Sequence, residues 1–550
     1  IDNIDEKRWE IQKNISNYNY LILRAPTGWG KTTISLLFAV NKDYRRIFIT
    51  LPTITAIQKF YKKLKNNLNV EMYFYFYDAL LFIEDEIDER ISTLFYIQNL
   101  YSPINITTVD QILLTLLQTG KYFLKRVNLR NSILILDEVH LLTPNMLFLL
   151  KKFIEHFASF YNIRFLLMSA TVPKGIVEYL SENIKFETID IYGLWNSRYF
   201  SEEYYNRERF EFKLIDKDIL EDLDRIIEEN KNNKSILVIV NTVEKAVAIY
   251  KKLREDHKIK NILLLHGRFM FKDRIKKEKK IENLIKNKGI LISTQVSEVS
   301  LDIDFDVLFT EAAPIASIVQ RAGRVNRYGI KPKTNIYIYY PSELKELKED
   351  EKKGYPYKID EIIKTWKFLG NLDSYKEGEL IKKIDEEFTK EYYENLIKKE
   401  KIYKIYEEVF ENRNNFSNVH WFLSSASEEK GKELLDFREN ITTLIIPYGD
   451  LLLEESLRKD INRLLEEYKI LKEENADYEK WRIFFAKIKS YATPVPIWIM
   501  SNIKVDNKYA FPILESLPED MNYKYSKKYG FIDIEKLKKL GITIEDENFY

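Results

Sequence analysis

Residues Ala25-Pro26-Thr27-Gly28-Trp29-Gly30-Lys31-Thr32-Thr33 stand between two apolar runs. The first run, Tyr20-Leu21-Ile22-Leu23, predicts a buried strand, and the second, which begins at Ile34, predicts the first turns of a helix. A strand, a Gly-rich turn and a helix start with Gly-Lys-Thr at the join form a phosphate-binding loop. Its N–H groups point at phosphates, Lys31 adds a positive charge, and the Thr32 hydroxyl can ligate Mg²⁺. The nine residues therefore predict a chain that binds and hydrolyses a nucleoside triphosphate.

Composition excludes several classes of protein. The 550 residues suggest about three to four domains, and 86 Lys and Arg against 85 Asp and Glu give a net charge of +1, which neither supports nor excludes nucleic-acid binding. The absence of cysteine excludes disulfides, thiolate metal sites and cysteine nucleophiles. Since no apolar run approaches the roughly 20 residues of a membrane span and no signal peptide is visible, we expect a cytoplasmic protein without a membrane partner.

An acidic pair provides the second strong signal. The apolar run Ser132-Ile133-Leu134-Ile135-Leu136 ends in Asp137-Glu138-Val139-His140. Successive residues of a strand point in opposite directions, so the two carboxylates at its end can take different tasks. We expect Asp137 to hold Mg²⁺, Glu138 to orient and deprotonate the attacking water, and His140 to connect this site to a nucleic-acid side.

Polar residues follow the other strands predicted in the first half. In a parallel sheet they gather beside the phosphate loop, at the carboxyl ends of the strands, where helix-start hydroxyls can contact a nucleic-acid backbone. The candidates for nucleic-acid binding here are Pro52, Thr53, Thr107, Thr108, Asp110 and Gln111. Upstream of the loop, Gln12 is either an adenine contact or a plain surface residue. Ser169, Ala170 and Thr171 end another apolar strand and can relay the state of the acidic pair to the rest of the chain.

The motifs of the first half, in their order, resemble motifs I, II and III of superfamily 2 DExH helicases. The residues that carry this resemblance are Ala25–Thr32, Asp137–His140 and Ser169–Thr171. The resemblance implies ATP as the nucleotide and Mg²⁺ as the metal. It also implies a second RecA-like domain whose arginines complete the nucleotide site.

The second half supplies that domain. Four apolar strands alternate with helical patterns, which is typical of a doubly wound sheet. We expect Arg324 and Arg327, three residues apart on one helical face, to reach the γ-phosphate as arginine fingers, with Gln320 on the attacking water or the phosphate. Asp302 is assigned to the ribose or the opposing domain. Further candidates for nucleic-acid contact at strand ends are Asn241, Thr242, His266, Arg268, Thr294 and Gln295.

The amino-acid sequences of three segments point to one family within these helicases. His266–Phe269, Ser293–Asp306 and Glu311–Arg327 resemble the CRISPR-associated type I helicase, and Thr107–Gln111 is similar to that family's equivalent segment. This resemblance covers about residues 9 to 330. It implies 3′-to-5′ movement on single-stranded DNA, recruitment by a guide-RNA surveillance complex and a role in antiviral defence.

One feature of many members of that family is not found. They carry a metal-dependent HD nuclease before the helicase, whereas the phosphate loop here begins at residue 25 and none of the five histidines is followed by Asp. We therefore expect a stand-alone helicase subunit of an archaeal type I-A-like system, working with a separate HD-type nuclease.

The predicted fold class is α/β. Two tandem RecA-like domains with doubly wound parallel sheets are expected at residues 1–205 and 206–340, followed by a charge-dense helical linker at 341–435 and a small C-terminal accessory domain at 436–550. We expect the linker helices to be mainly solvated, with a contact surface as the alternative.

Two other functions stay open on the sequence. One is a DExH RNA helicase, which differs by its response to RNA, since the 2′-OH separates the two nucleic acids. The other is a nucleotide-gated subunit that docks and regulates a nuclease without unwinding DNA. The presence of Glu138, Arg324 and Arg327 argues against the second.

Overall fold

The computed structural model describes residues 6–26, 29–117, 122–196, 198–299, 303–327, 329, 331–341, 344, 356–357, 359–372, 375–406, 442–496, 511–518 and 521–544. Of the predicted site residues, Thr27, Gly28 and Asp302 lie outside these ranges. The side chain of Thr32 is likewise outside the described part of the molecule.

The first sheet contains seven parallel strands in the order β3-β4-β2-β5-β6-β1-β7 within the described residues. Its central strands are continuous apolar runs because both faces of the sheet are covered by helices. Each core residue from Ile133 to Ile135 is fully buried. The strands are β1 Tyr20–Arg24, β2 Arg46–Thr50, β3 Val70–Tyr73, β4 Ile104–Thr107, β5 Ser132–Leu136, β6 Arg164–Ser169 and β7 Glu187–Asp190.

Helices pack on both faces of this sheet and form two apolar core layers. Pro144–Phe157 shows the local logic, since Thr143 caps its first turn through Met146 N–H, Pro144 occupies the first turn, and its apolar residues face the sheet. The helices are α1 Glu6–Asn14, α2 Lys31–Leu37, α3 Ile54–Leu64, α4 Tyr77–Ile83, α5 Ile87–Arg90, α6 Leu94–Gln98, α7 Val109–Leu116, α8 Tyr122–Leu129, α9 Pro144–Phe157, α10 Lys174–Leu180 and α11 Glu202–Asn206.

The second sheet has six described strands, all parallel, in the order β10-β11-β9-β12-β13-β8. The strands are β8 Phe210–Ile215, β9 Ile236–Ile239, β10 Ile262–Leu265, β11 Ile290–Ser293, β12 Val307–Glu311 and β13 Thr334–Tyr339. The helices between them are α12 Leu223–Lys231, α13 Val243–Lys251, α14 Phe271–Glu278, α15 Ile281–Lys286, α16 Val296–Val299 and α17 Ile315–Ala322. Both sheets therefore match the predicted pair of doubly wound parallel sheets.

The described linker helices are packed rather than solvated, so the expectation of mainly solvated helices is wrong for them. Ile381 and Ile384 join the core of the second sheet, while Ile397 and Tyr406 join the core of the first. The linker therefore touches both sheets. Its described helices are α18 Ile359–Gly370, α19 Glu377–Glu387, α20 Lys390–Lys399 and α21 Lys401–Tyr406.

The C-terminal part forms a small three-stranded sheet and a two-stranded hairpin. The hairpin and the helix after it join the core of the second sheet through Tyr529, Ile532 and Leu537. The elements are β14 Thr442–Pro447, β15 Thr493–Pro496, β16 Ile513–Leu514, β17 Tyr523–Ser526, β18 Gly530–Asp533, α22 Glu455–Glu473, α23 Tyr478–Lys489 and α24 Ile534–Lys539. The domain boundaries expected from the sequence stay predictions. Across the described ranges, every helix is too short or too polar to cross a bilayer.

A glycine in the hairpin tests how tightly the C-terminal part is docked. Gly530 has a φ of +75°, and a Cβ there would lie 2.5 Å from His266 Cε1 and 2.9 Å from the Arg268 carbonyl oxygen. Gly541 has a φ of +74° and would place its Cβ in open space. We expect Gly530→Ala to lower the free energy of unfolding by about 1–3 kcal/mol more than Gly541→Ala, because only the former overpacks a buried contact. Urea unfolding of both variants measures the difference, and equal losses would contradict the docking.

Candidate nucleotide site

The phosphate loop is anchored at the carboxyl end of β1. The N–H of Ala25 donates to the Ser169 carbonyl at 3.0 Å, which ties the loop to β6. Gly30 has a φ of +97° and precedes the first residue of α2, so a side chain at this position would be strained. Lys31 then begins the helix, and its Nζ lies 3.6 Å from Glu138 Oε1. The structure thus brings Lys31 and Glu138 together.

The acidic pair occupies a strained turn directly after β5. Glu138 has a φ of +54° and a ψ of +46°, a left-handed conformation that costs a non-glycine residue about 1–3 kcal/mol. Glu138 N–H donates to Asp137 Oδ1 at 3.0 Å, and Asp137 N–H donates to the Thr50 carbonyl at 3.1 Å. Strain of this kind is concentrated at functional sites, where the surrounding structure fixes it.

The two carboxylates have opposite electrostatic environments. Burial and the neighbouring charge of Glu138 raise the pKa of Asp137. Burial also favours the neutral form of Glu138, but the charges of Lys31, Arg324 and Arg327 outweigh it and hold its pKa below the ordinary value. Glu138 Oε2 is buried and accepts no hydrogen bond from any described residue. An ionised carboxylate with an unused buried oxygen is suited to accept a proton from a water molecule.

His140 joins the two sheets. Its Nδ1 is hydrogen-bonded to Ser169 Oγ, and its Nε2 is hydrogen-bonded to the side-chain amide of Gln320, which lies on α17 of the second sheet. Burial lowers the pKa of His140 to about 4, so the ring is neutral at pH 7 and can use one nitrogen as donor and the other as acceptor. Thr171 N–H donates to Ser169 Oγ at 3.0 Å, which connects two predicted coupling residues. Ala170 lines, together with His140, the cleft between the two sheets that is described below.

Arg324 and Arg327 do not share a helical face, so that prediction is wrong. Helix α17 ends at Ala322, and the chain turns through Asn326, whose φ is +40°. Asn326 holds this turn because its side-chain amide donates to the carbonyls of Arg209, Lys331 and Pro332. Asparagine tolerates the left-handed conformation better than most residues. The arginines nevertheless face the same site as the acidic pair, because a turn, and not a helix, directs both of them towards it.

A cleft between the two sheets brings these groups together. Its wall includes Glu138, His140 and Thr171 from the first sheet and Gln320, Arg324 and Arg327 from the second. Two linker residues, Leu380 and Ile381, complete another side of it.

The donor set fits Mg²⁺ in its usual role beside a nucleotide. The described residues hold no cluster of three or more His, Cys, Asp or Glu side chains suited to a metal ion. Mg²⁺ in phosphoryl-transfer sites is bound by one or two carboxylates together with substrate phosphates, so a single carboxylate beside the phosphate loop is enough. Asp137 supplies such an oxygen. The role of Thr32 as the second ligand stays a prediction.

The remaining loop residues have clear positions. Trp29 is buried and packs in the apolar core of the first sheet. Pro26 and Thr33 belong to the described part of the loop. Gln12 is only 6% exposed, so its interpretation as a plain surface residue is wrong. Its contact with adenine stays a prediction.

Several residues predicted to contact nucleic acid serve the protein interior instead. The direct-contact prediction is wrong for three of them, because a side chain this deeply buried cannot reach a backbone outside. Thr107 is fully buried and its hydroxyl donates to the Tyr73 carbonyl at 2.8 Å. Asn241 donates to the Ala312 carbonyl at 2.9 Å. His266 is fully buried, with Nε2 2.8 Å from the Tyr529 carbonyl oxygen.

The other nucleic-acid candidates divide by exposure. Thr294 is 3% exposed, as deeply buried as Asn241, so the direct-contact prediction is wrong for this fourth residue, whereas Asp110 and Gln111 are each 8% exposed and stay predictions. Thr53 caps α3 by accepting from Ala56 N–H, and Arg268 pairs with Glu244 at 2.6 Å. Partly exposed positions are Pro52, Thr53, Thr108, Thr242, Arg268 and Gln295. These six stay predictions.

Sequence reasoning missed a set of buried charges beside the cleft. Arg24 pairs with Asp190 and with Asp385 of α19, and Glu377 of the same helix pairs with Arg209. A charge directly before the phosphate loop was a usable signal for Arg24. The linker acids gave no comparable signal, because their sequence is charge-dense throughout.

Comparison with known proteins shows which helicases the chain resembles. A model described as DEAD/DEAH box helicase matches residues 8–179, and a model described as CRISPR-associated nuclease/helicase Cas3, C-terminal, matches residues 232–330. The first match includes six of the seven strands of the first sheet, and the second includes four of the six strands of the second sheet. Across both matches the chain is similar to Cas3-like helicases.

Individual relatives agree with this assignment. The chain is 28% identical to the putative CRISPR-associated nuclease/helicase Cas3 of Methanocaldococcus jannaschii, over 85% of this chain and 65% of that protein, so it spans just under two thirds of that relative. The T. fusca Cas3-AMPPNP crystal structure has the same fold, with a TM-score of 0.69 and 16% identity over 97% of this chain and 71% of that one. A structure titled CRISPR RNA-guided surveillance complex, pre-nicking, matches with a TM-score of 0.58 and 14% identity over 96% and 70%.

The contact between His140 and Gln320 can be tested by a double-mutant cycle. We expect His140→Ala and Gln320→Ala each to slow ATP hydrolysis, and the double variant to lose less than the two losses combined, with a coupling energy of about 0.5–3 kcal/mol. The matched control is exposed His257, in the connection between α13 and β10, whose change to Ala should add independently to Gln320→Ala. Steady-state kinetics of the five variants measure the cycle. Additive losses at His140 and Gln320 would mean that the contact does not matter for turnover.

Proposed function

We propose that this chain is an ATP-dependent DNA helicase or translocase of a type I CRISPR interference system, moving 3′ to 5′ on single-stranded DNA. The observation that carries the proposal is the cleft between the sheets, where Glu138, which pairs with Lys31, faces Gln320, Arg324 and Arg327. A site divided between two sheets can couple nucleotide turnover to their relative movement, which a site within one sheet cannot do. The similarity to DEAD/DEAH box and Cas3 helicases supports a motor of this kind.

The chemical step uses residues on both sides of the cleft. The loop N–H groups and Lys31 bind the phosphates, and Glu138 orients a water molecule and takes its proton as the water oxygen bonds to the γ-phosphorus. The bond from that phosphorus to the bridging oxygen breaks, and ADP is the leaving group. Arg324 and Arg327 offset the negative charge in the transition state. Mg²⁺ held by Asp137 and Thr32 would supply further charge neutralisation on the phosphates.

The proposal extends to partners. The relatives are named nuclease/helicases, and one structure of this fold belongs to a guide-RNA surveillance complex. We further propose that an HD-type nuclease on a separate chain cleaves the DNA and that a surveillance complex of the same kind recruits this chain.

Glu138→Gln tests the assignment of the base. The amide keeps the shape of the side chain but cannot take a proton, so we expect ATP binding to persist while turnover falls by about 10²- to 10⁴-fold. The matched control is Glu89→Gln on α5, an exposed residue of the same part of the chain that undergoes the same change of charge. Equilibrium binding of a non-hydrolysable ATP analogue and steady-state ATP hydrolysis give the two readouts. Turnover at the wild-type rate would remove Glu138 from the mechanism.

ATP hydrolysis with different nucleic acids tests the substrate. We expect single-stranded DNA to stimulate the Mg²⁺-dependent rate strongly, and single-stranded RNA of the same sequence and length to stimulate it weakly. Stimulation by RNA instead would favour an RNA helicase. No stimulation by either, with ATP bound, would favour a nucleotide-gated docking subunit. An unwinding assay on a duplex with a 3′ or a 5′ single-stranded end then tests direction.

A further inference from the structure

The carboxyl end of helix α19, Glu377–Glu387, which we call the bridging helix, contacts the end of β1, directly before the phosphate loop. Asp385 accepts from Arg24 Nη1 through both carboxylate oxygens, at 2.8 and 2.9 Å. Arg24 is the last residue of β1 and directly precedes Ala25, the first residue of the loop. Asp385 also accepts from Lys174 N–H at 2.8 Å. One carboxylate of the linker therefore fixes the strand end from which the loop departs.

Arg24 is enclosed on every side. Its Nε and Nη2 donate to the two oxygens of Asp190, each at 2.9 Å, and the ring of Trp195 lies 4.0 Å from its guanidinium carbon. The residue is fully buried. Burial disfavours its charge, but Asp190 and Asp385 outweigh this and hold the pKa of Arg24 above its ordinary value. Asp190 alone balances the positive charge of Arg24. The second carboxylate, Asp385 of the linker, therefore serves to orient the Arg24 side chain.

The amino end of the bridging helix is linked to the turn after α17 that carries Arg324 and Arg327, which we call the arginine turn. Glu377 accepts from Arg207 through Nε and Nη2, at 3.0 and 2.9 Å, and from Arg209 Nε. Arg209 Nη1 in turn donates to the carbonyl of Arg327 at 3.1 Å. The Arg209 carbonyl accepts from the Asn326 amide at 3.1 Å. Glu377 is only 4% exposed, so this network is a buried one.

The two ends are held at a fixed separation. Asp385 and Glu377 are eight residues apart, which at 1.5 Å per residue is about 12 Å of helix. Between them, Leu380 and Ile381 line the cleft that also contains Glu138 and Gln320. Buried charges that have hydrogen-bonded partners tolerate few alternative arrangements, because an unpaired charge is costly.

We propose that the bridging helix positions both halves of the nucleotide site, with Asp385 acting on the phosphate loop through Arg24 and Glu377 acting on Arg327 through Arg209. This rests on the proposed function. Asp385 and Glu377 are positioning residues, since neither touches the reacting atoms. The linker thereby becomes part of the motor, and any movement of α19 changes nucleotide affinity and turnover separately.

Two variants that remove charge but keep shape separate the two ends. The loop binds phosphates in the ground state, so we expect Asp385→Asn to raise the KM for ATP about tenfold with kcat changed less than about twofold. Arg327 acts on charge that develops in the transition state, so Glu377→Gln should lower kcat about tenfold at a nearly unchanged KM. Glu386→Gln, on the exposed side of the same helix, is the matched control and should change neither.

Rescue and stability separate positioning from folding. Asp385→Glu restores the charge and should return KM towards the wild-type value, and circular dichroism melting should show that every variant is folded at the assay temperature. Wild-type hydrolysis with both variants resembling Glu386→Gln would overturn this inference and leave the proposed function intact. Parallel losses of kcat, KM and melting temperature would also overturn it, because they would indicate a merely structural role.

Failure of the proposed function gives a different result. In that case the wild-type chain hydrolyses no ATP under any nucleic-acid condition. The Asp385 arm is then read from the affinity for a non-hydrolysable ATP analogue. Weaker binding by Asp385→Asn than by Glu386→Gln would support positioning of the loop, and equal binding would overturn it.

Discussion

The contact between His140 and Gln320 joins two apolar sheets at their polar edges. Each sheet is buried on both faces, so its strands are apolar along their length and polar side chains collect where the strands end. A parallel sheet has all such ends on one side. A site that needs a phosphate loop, two acids and two arginines can therefore be assembled by turning two polar edges towards each other, and a neutral histidine with two hydrogen-bonding nitrogens can connect them without adding a buried charge.

The cleft contains local conflicts that the surrounding structure fixes. Glu138 and Asn326 both adopt left-handed backbone conformations. Glu138 follows a strand of the first sheet, and Asn326 directly precedes Arg327. Adjacent carboxylates repel, and burial adds to the cost of charging Asp137. The charges of Lys31, Arg324 and Arg327 resolve this in favour of an ionised Glu138, because they hold its pKa below the ordinary value. Conflict between local preference and the overall fold is expected at functional sites.

The sequence predicted the local part of this arrangement well. Continuous apolar runs marked the strands, and Gly30-Lys31 and Asp137-Glu138 marked their functional ends, because such signals depend only on neighbouring residues. The arginine turn shows the limit. A three-residue spacing suits a helix face, but α17 ends at Ala322, and the side-chain hydrogen bonds of Asn326 that redirect the chain reach segments far away in sequence. Spacing alone does not contain that information.

Contacts between distant segments explain the other errors. His266 follows a strand, as a residue facing a ligand would, yet the hairpin around Tyr529 covers it. The linker acids look like members of a solvated charge run, but Asp385 meets Arg24 across 361 residues of sequence. The linker helices also carry apolar residues at helical spacing, which gives them a face to bury. The assembled sheets decide which surface covers that face. Once Ile381 and Ile384 pack against the second sheet, the acids at the ends of the same helix become largely buried, and buried carboxylates need cationic partners. The apolar face of the linker thus brings its charged ends to the nucleotide cleft.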